Sequence, residues 1–197
     1  MSALIIIIER AQYQAKGFVL SNQLTPKKLQ TRTRICQTAW ELFIAKGFES
    51  TSTRDIAKAA GIANGTLFSH FANKDELLKV LMIAQIDNVI ADAQRSDDHQ
   101  QPKLKMRHYA THLYAFYLQH VEFSKTLLQS LIWQGQFFDE QIQQFKALLF
   151  ASAPQYDEVR AAAMMDCYFM TLIEGLNQPA PNANAMVRRL SAKLALL

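Results

Sequence analysis

The segment Thr53–Phe71 constrains the fold more than any other part of the chain. Ile56, Ala57 and Ala60 fall on one face of a short helix, roughly Thr53–Ala60, at the spacing a buried helical stripe requires. Gly61-Ile62-Ala63 then makes a tight turn, and a second short helix follows at roughly Asn64–Phe71. The alanines let the two helices cross closely, while Ile62 and Leu67 fill the space between them. Two short helices joined by a glycine-containing turn have the grammar of a helix-turn-helix, a unit that offers the start of its second helix to the major groove of DNA.

Helical signals continue on both sides. Thr25-Pro26 offers an N-cap and a first-turn proline. Ile35, Ala39, Leu42 and Phe43 mark a buried face, and Gly47 stands where a helix ends. Ser52 caps the next helix, with Asp55 at the third position of a capping box. Asn73 caps a fourth helix running to about Arg95, with Glu76 three positions on. The polar stretch Ser96–Lys103 interrupts the pattern. Beyond it helices are expected near Leu104–His120, Phe123–Gly135, Asp139–Phe150, Asp157–Leu176 and Asn182–Leu197.

With six glycines, five prolines and no convincing alternating strand, the chain reads as all-α: an N-terminal three-helix helix-turn-helix domain followed by a C-terminal helical bundle. The expected division is an extension of unknown role at 1–24, a DNA-binding domain at 25–80 and the bundle at 81–197. In the extension, Leu4, Ile8, Ala11, Ala15 and Phe18 fit a helix, whereas Ile5–Ile8 favours a strand. An extra helix, a mobile arm and an overlong gene start all remain open there.

Charge narrows the function classes. Half of the chain is hydrophobic and 19% is charged, which excludes a disordered polymer. The net charge is +4, and Thr25–Val80 holds nine Lys/Arg against five Asp/Glu, while Leu81 to the end holds ten against eleven. A basic module on a near-neutral body suits a polyanionic partner, although an ordinary solvated surface fits the same count. Cys36 and Cys167 stand alone, as expected of a reduced cytoplasmic protein. Leu4–Ile8 is too short to span a bilayer and lacks the flanks of a signal peptide, so no membrane association is expected. There is no glycine-rich phosphate loop, nucleophile elbow or zinc-ligand cluster, so neither an enzyme nor a cofactor is expected. His108 and His112 have the spacing of a metal pair, but no third ligand is evident, and no metal is expected.

LFIAKGFESTSTRDIAKAAGIANGTLFSHFANKDELL resembles the DNA-binding domain of the tetracycline repressor (TetR) family, TetR/AcrR-type, in register from about Arg32 to Val80. The resemblance implies roles. Thr53 and Arg54 would meet phosphates and one base edge. Asn64, Gly65 and Thr66 open the recognition helix, as a base partner, a point of close approach and a methyl or phosphate contact. Phe68, Ser69 and His70 line its outer side. Lys74 would hold a phosphate at the head of the fourth helix, and Arg32 and Arg34 would reach the backbone. Taken alone, Arg54, His70 and Lys74 are equally readable as surface groups. Two positions depart from the family pattern. Phe68 stands where many members have tyrosine. Ala63 stands where many have a capping serine or threonine, leaving Asn64 as an alternative cap.

The same resemblance implies a body that binds a small apolar or amphipathic ligand and dimerises. His112, Phe116, Trp133 and Phe137 are the candidate pocket residues, although aromatics at helical spacing also fit an ordinary core. Val187, Leu190 and Leu194 form a stripe on the last helix, and Ala163 and Met170 lie on the helix before it. Two such helices from each subunit would make a four-helix interface, unless the stripes pack only within the chain. The implied protein is a ligand-responsive homodimeric repressor acting on a double-stranded operator. The alternatives are an activator, an architectural DNA-binding protein or a helical-bundle enzyme.

Overall fold

The computed structural model describes residues 25–133 and 138–197, with the side chain of Trp133 outside the description. The described residues form nine helices and no strand: α1 Pro26–Lys46, α2 Thr53–Ala59, α3 Asn64–Phe68, α4 Lys74–Gln94, α5 Pro102–Gln119, α6 Val121–Trp133, α7 Asp139–Phe150, α8 Glu158–Leu176 and α9 Ala183–Leu194. The all-helical expectation holds. The chain divides into two units, 1–85 and 86–197, with the boundary inside α4. The readings of residues 1–24, and the position of Phe137, lie outside the described residues.

In the first unit, local chemistry sets the helix ends. The Lys28 N–H donates to Thr25 Oγ1 at 3.4 Å, and Gly47 closes α1 with φ +84° while its N–H donates to the Phe43 carbonyl at 2.9 Å. The Asp55 N–H donates to Ser52 Oγ and the Ser52 N–H donates to Asp55 Oδ2, a reciprocal box that satisfies two otherwise orphaned donors. Gly61 turns the chain between α2 and α3 at φ +64°, a conformation that a Cβ would strain. The Glu76 N–H donates to Asn73 Oδ1 at 2.8 Å, while Glu76 Oε2 accepts from the Ala72 N–H at 2.6 Å, so this second box reaches one residue further back than the spacing implied. Ile35, Phe43, Ile56, Leu67, Phe71 and Leu77 are wholly buried and form the centre of the unit.

Helix α3 is shorter than expected, ending at Phe68 instead of Phe71. The chain tightens there: the N–H groups of His70 and Phe71 both donate to the Leu67 carbonyl, and Ser69 Oγ donates to the Thr66 carbonyl at 2.7 Å.

In the second unit, α9 packs on α5 and α8. The Tyr114 hydroxyl donates to the Tyr168 carbonyl at 2.9 Å, and the two rings stack at 5.1 Å. Leu190 and Leu194 are 0% and 2% exposed within the single chain. This corrects the expected dimer stripe: both leucines lie on the inward side of α9 and belong to the chain's own core. Of that stripe Val187 is half-buried, and on α8 Ala163 is half-buried while Met170 is 52% exposed.

Candidate nucleic-acid interface

Helix α3 rests on Leu67, which is 0% exposed, and turns its other side outward. Gly65, Phe68 and Ser69 are exposed, and Asn64, Thr66 and His70 are half-buried. A Cβ built on Gly65 would meet no atom within 4 Å, so the surface over the first turn is open. Phe68 is 46% exposed, an unusual placement for a phenylalanine in a small domain. Arg54 is exposed and Thr53 half-buried at the start of α2. Lys27, Lys28 and Arg34 are exposed on α1, adding positive charge to the same unit. The His70 imidazole has its pKa lowered by burial, and further by the charges of Arg32 and Lys28, which favours the neutral ring at pH 7.

Three expectations change in detail. Ala63 gives α3 no side-chain cap, and Asn64 does not replace it, because its Oδ1 is buried without a hydrogen-bond partner. Arg32 is 8% exposed, and its Nη1 donates to the His70 carbonyl at 2.6 Å while the guanidinium lies 4.0 Å from the centre of the Phe71 ring. A guanidinium so covered is committed inside the domain. Lys74 is half-buried; its Nζ donates to the Phe48 carbonyl at 2.8 Å and lies 4.2 Å over the Phe48 ring. Sequence spacing carried no sign of these two cation–aromatic contacts, because each joins residues far apart in the chain.

Residues 35–81 match the family model described as bacterial regulatory proteins, tetR family. Over these residues the chain is similar to the TetR family. The HTH-type transcriptional regulator UidR of Escherichia coli strain K12 is 38% identical over 61 residues, 31% of each chain. The regulator TtgR of Pseudomonas putida is 34% identical over 80 residues, 40% of this chain and 38% of that protein. The repressor KstR2 of Rhodococcus jostii is 35% identical over 65 residues, 33% of this chain and 32% of that protein. The aligned region thus spans about a third of the curated relatives' length.

The TetR-type fold extends past this domain. A TetR transcriptional regulator from Rhodococcus sp. RHA1 superposes with a TM-score of 0.65 at 21% identity, over 84% of this chain and 96% of that one. The TetR-family repressor FadR of Thermus thermophilus, solved with lauroyl-CoA, gives 0.64 at 19% identity, over 84% and 92%. At such identities the likeness establishes the fold.

In the body, Phe137 and the side chain of Trp133, two of the four expected pocket residues, lie outside the described residues. Phe116 is 8% exposed, and its ring packs 5.8 Å from Tyr117 and 4.9 Å from His120. His112 is exposed, with its ring 5.1 Å from that of His108. His108 Nε2 lies 2.8 Å from the Ala93 carbonyl, and no metal-ligand cluster occurs among the described residues. No helix among the described residues is long and apolar enough to cross a membrane.

Proposed function

We propose that this chain is a sequence-specific DNA-binding transcriptional regulator, a homodimeric repressor that releases its operator when a small ligand occupies the body. The observation that carries the reading is the open first turn of α3: Gly65 clears the approach, and Asn64, Thr66 and Phe68 surround it above a buried Leu67. With no side chain capping its first turn, the start of α3 is clear for contact with phosphate and base edges. Thr53, Arg54, Ser69, His70 and the remaining donors of Lys74 flank it as backbone contacts. The names of the relatives support the same class, since UidR, TtgR and KstR2 are all called transcriptional regulators or repressors.

The second subunit would meet this one on the outward sides of α8 and α9. Ala163 and Val187 are half-buried there, and Met170 is 52% exposed. An apolar or amphipathic ligand would enter the aromatic part of the body, near Phe116 with His112, Trp133 and Phe137 as candidate neighbours. FadR of Thermus thermophilus, solved with lauroyl-CoA, supports a ligand of that character. Helix α4 begins in one unit and ends in the other, so it is the covalent route by which a ligand would shift the DNA-binding unit. The ligand acts only through unequal affinity for the two states.

The test is selection of fragments from the organism's own DNA by the purified chain. Recurrent enrichment of one near-palindromic sequence is expected. Enrichment without sequence preference would replace this reading with an architectural one.

A further inference from the structure

The recognition helix has little of its own to hold it. Helix α3 has five residues, one and a half turns, and no side-chain cap at Ala63. Helices that short do not persist by backbone bonding alone. Asn64, at the first position, leaves its Oδ1 buried and unbonded. Something outside the helix must fix its direction, and α1 reaches it at the other end.

Arg32 makes that connection from 38 residues upstream. Its Nη1 donates to the carbonyl of His70, just past the end of α3, at 2.6 Å. Its guanidinium carbon sits 4.0 Å from the centre of the Phe71 ring, which is 0% exposed. A cation at a helix C-terminus meets the negative end of the helix dipole, and a charge-assisted bond is stronger and more directional than a neutral one. The guanidinium carbon lies over the ring while an N–H of the same group is aimed at the carbonyl, two contacts that a planar, forked group makes at once and a single ammonium does not reproduce. Ile35 and Cys36, one turn further along α1, are wholly or nearly wholly buried, so the base from which Arg32 reaches is itself fixed. At 8% exposure, Arg32 is withdrawn from the solvent through which a phosphate would arrive.

We propose that Arg32 is a positioning residue for DNA recognition: it clamps the C-terminal end of α3 through the His70 carbonyl and the Phe71 ring, and so sets the angle at which Asn64, Gly65 and Thr66 meet the groove, without touching DNA. This rests on the DNA-binding reading above. A phosphate-contacting arginine and a clamping arginine make opposite predictions. Losing a phosphate contact weakens all DNA binding and flattens the dependence of log affinity on log salt by about 0.9. Losing a clamp weakens binding to the preferred sequence and leaves the salt slope alone. A lysine would restore much of a phosphate contact but not a planar clamp.

The experiment uses the full chain with Arg32→Lys and Arg32→Met, titrated against the fragment enriched by the wild type and a scrambled duplex over a range of salt. The clamp predicts about a tenfold loss on the enriched fragment for both variants, with non-specific affinity and salt slope unchanged. Amide hydrogen exchange without DNA is read in parallel, and Ser69, His70 and Phe71 should exchange at least several-fold faster in both. Full affinity in Arg32→Lys, or a slope reduced by about one in Arg32→Met, overturns the proposal. Unfolding of both variants also overturns it, by making Arg32 a requirement of the whole domain. If the wild type shows no sequence preference, the DNA-binding reading fails on its own, and unchanged exchange at the three amides then refutes the clamp separately.

Discussion

Replacing Asp97 tests the polar network that fastens the turn between α4 and α5. Asp97 Oδ2 accepts from Lys105 Nζ at 2.9 Å and from the Tyr109 hydroxyl at 3.1 Å, and Oδ1 accepts from the His99 N–H at 3.1 Å. Its side chain is 2% exposed and that of Lys105 8%. Burial raises the carboxyl pKa, but the bonds from Lys105, His99 and Tyr109 together outweigh it and hold the group at about 2, against an ordinary 3.8. A folded pKa below the unfolded one stabilises the fold above about pH 4, and that contribution disappears as pH falls through about 2. The difference corresponds to at most about 2.5 kcal/mol, and nearer 1 kcal/mol once solvent screening beside the exposed Asp98 is allowed for. Asp97→Ala at neutral pH does more, because it leaves the Lys105 ammonium buried without its counter-charge. A loss of about 3 kcal/mol is expected. Urea unfolding followed by circular dichroism, from pH 7 downward, reads both effects. The wild type should lose stability between about pH 4 and 2, and the variant should begin lower and lack this part of the acid slope. A variant of wild-type stability at pH 7, or one with the same acid slope, would refute the reasoning.

Two further substitutions separate the inward and outward sides of the last helices. Leu190→Ala removes a side chain that is 0% exposed in the single chain, and should cost about 2–5 kcal/mol in chemical unfolding. Met170→Lys, at a position 52% exposed, should leave the fold of the subunit intact and shift the sedimenting species from dimer to monomer. An undiminished dimer in Met170→Lys would place the subunit contact elsewhere.

Elements set by neighbouring residues were legible from sequence. Thr25, Gly47, Ser52 with Asp55, and Asn73 with Glu76 each announce a helix end because their partners lie three or four residues away. The helix-turn-helix followed from the same local rules, while the close approach expected at Gly65 came from the family resemblance. Pairings across the fold were not legible. Arg32 reads as a basic residue near a basic motif, and only the folded chain brings it to the His70 carbonyl. The stripe Val187–Leu190–Leu194 correctly marks an apolar face, but periodicity does not say whether that face meets another helix of the same chain or of a second one. In α9 the two leucines face α5 and α8. Asp97 falls in a stretch that reads as a polar loop, yet its side chain is 2% exposed because Lys105, eight residues on in the first turn of α5, folds back over it.

The account stands most directly on whether α3 reads sequence. Fluorescence-anisotropy titrations of the wild type and of Asn64→Ala and Thr66→Ala, on an enriched operator fragment and on a scrambled duplex, measure this. Each variant is predicted to lose about 1–3 kcal/mol on the operator, with little change on the scrambled duplex. Equal affinity of wild type and variants for both duplexes would contradict it.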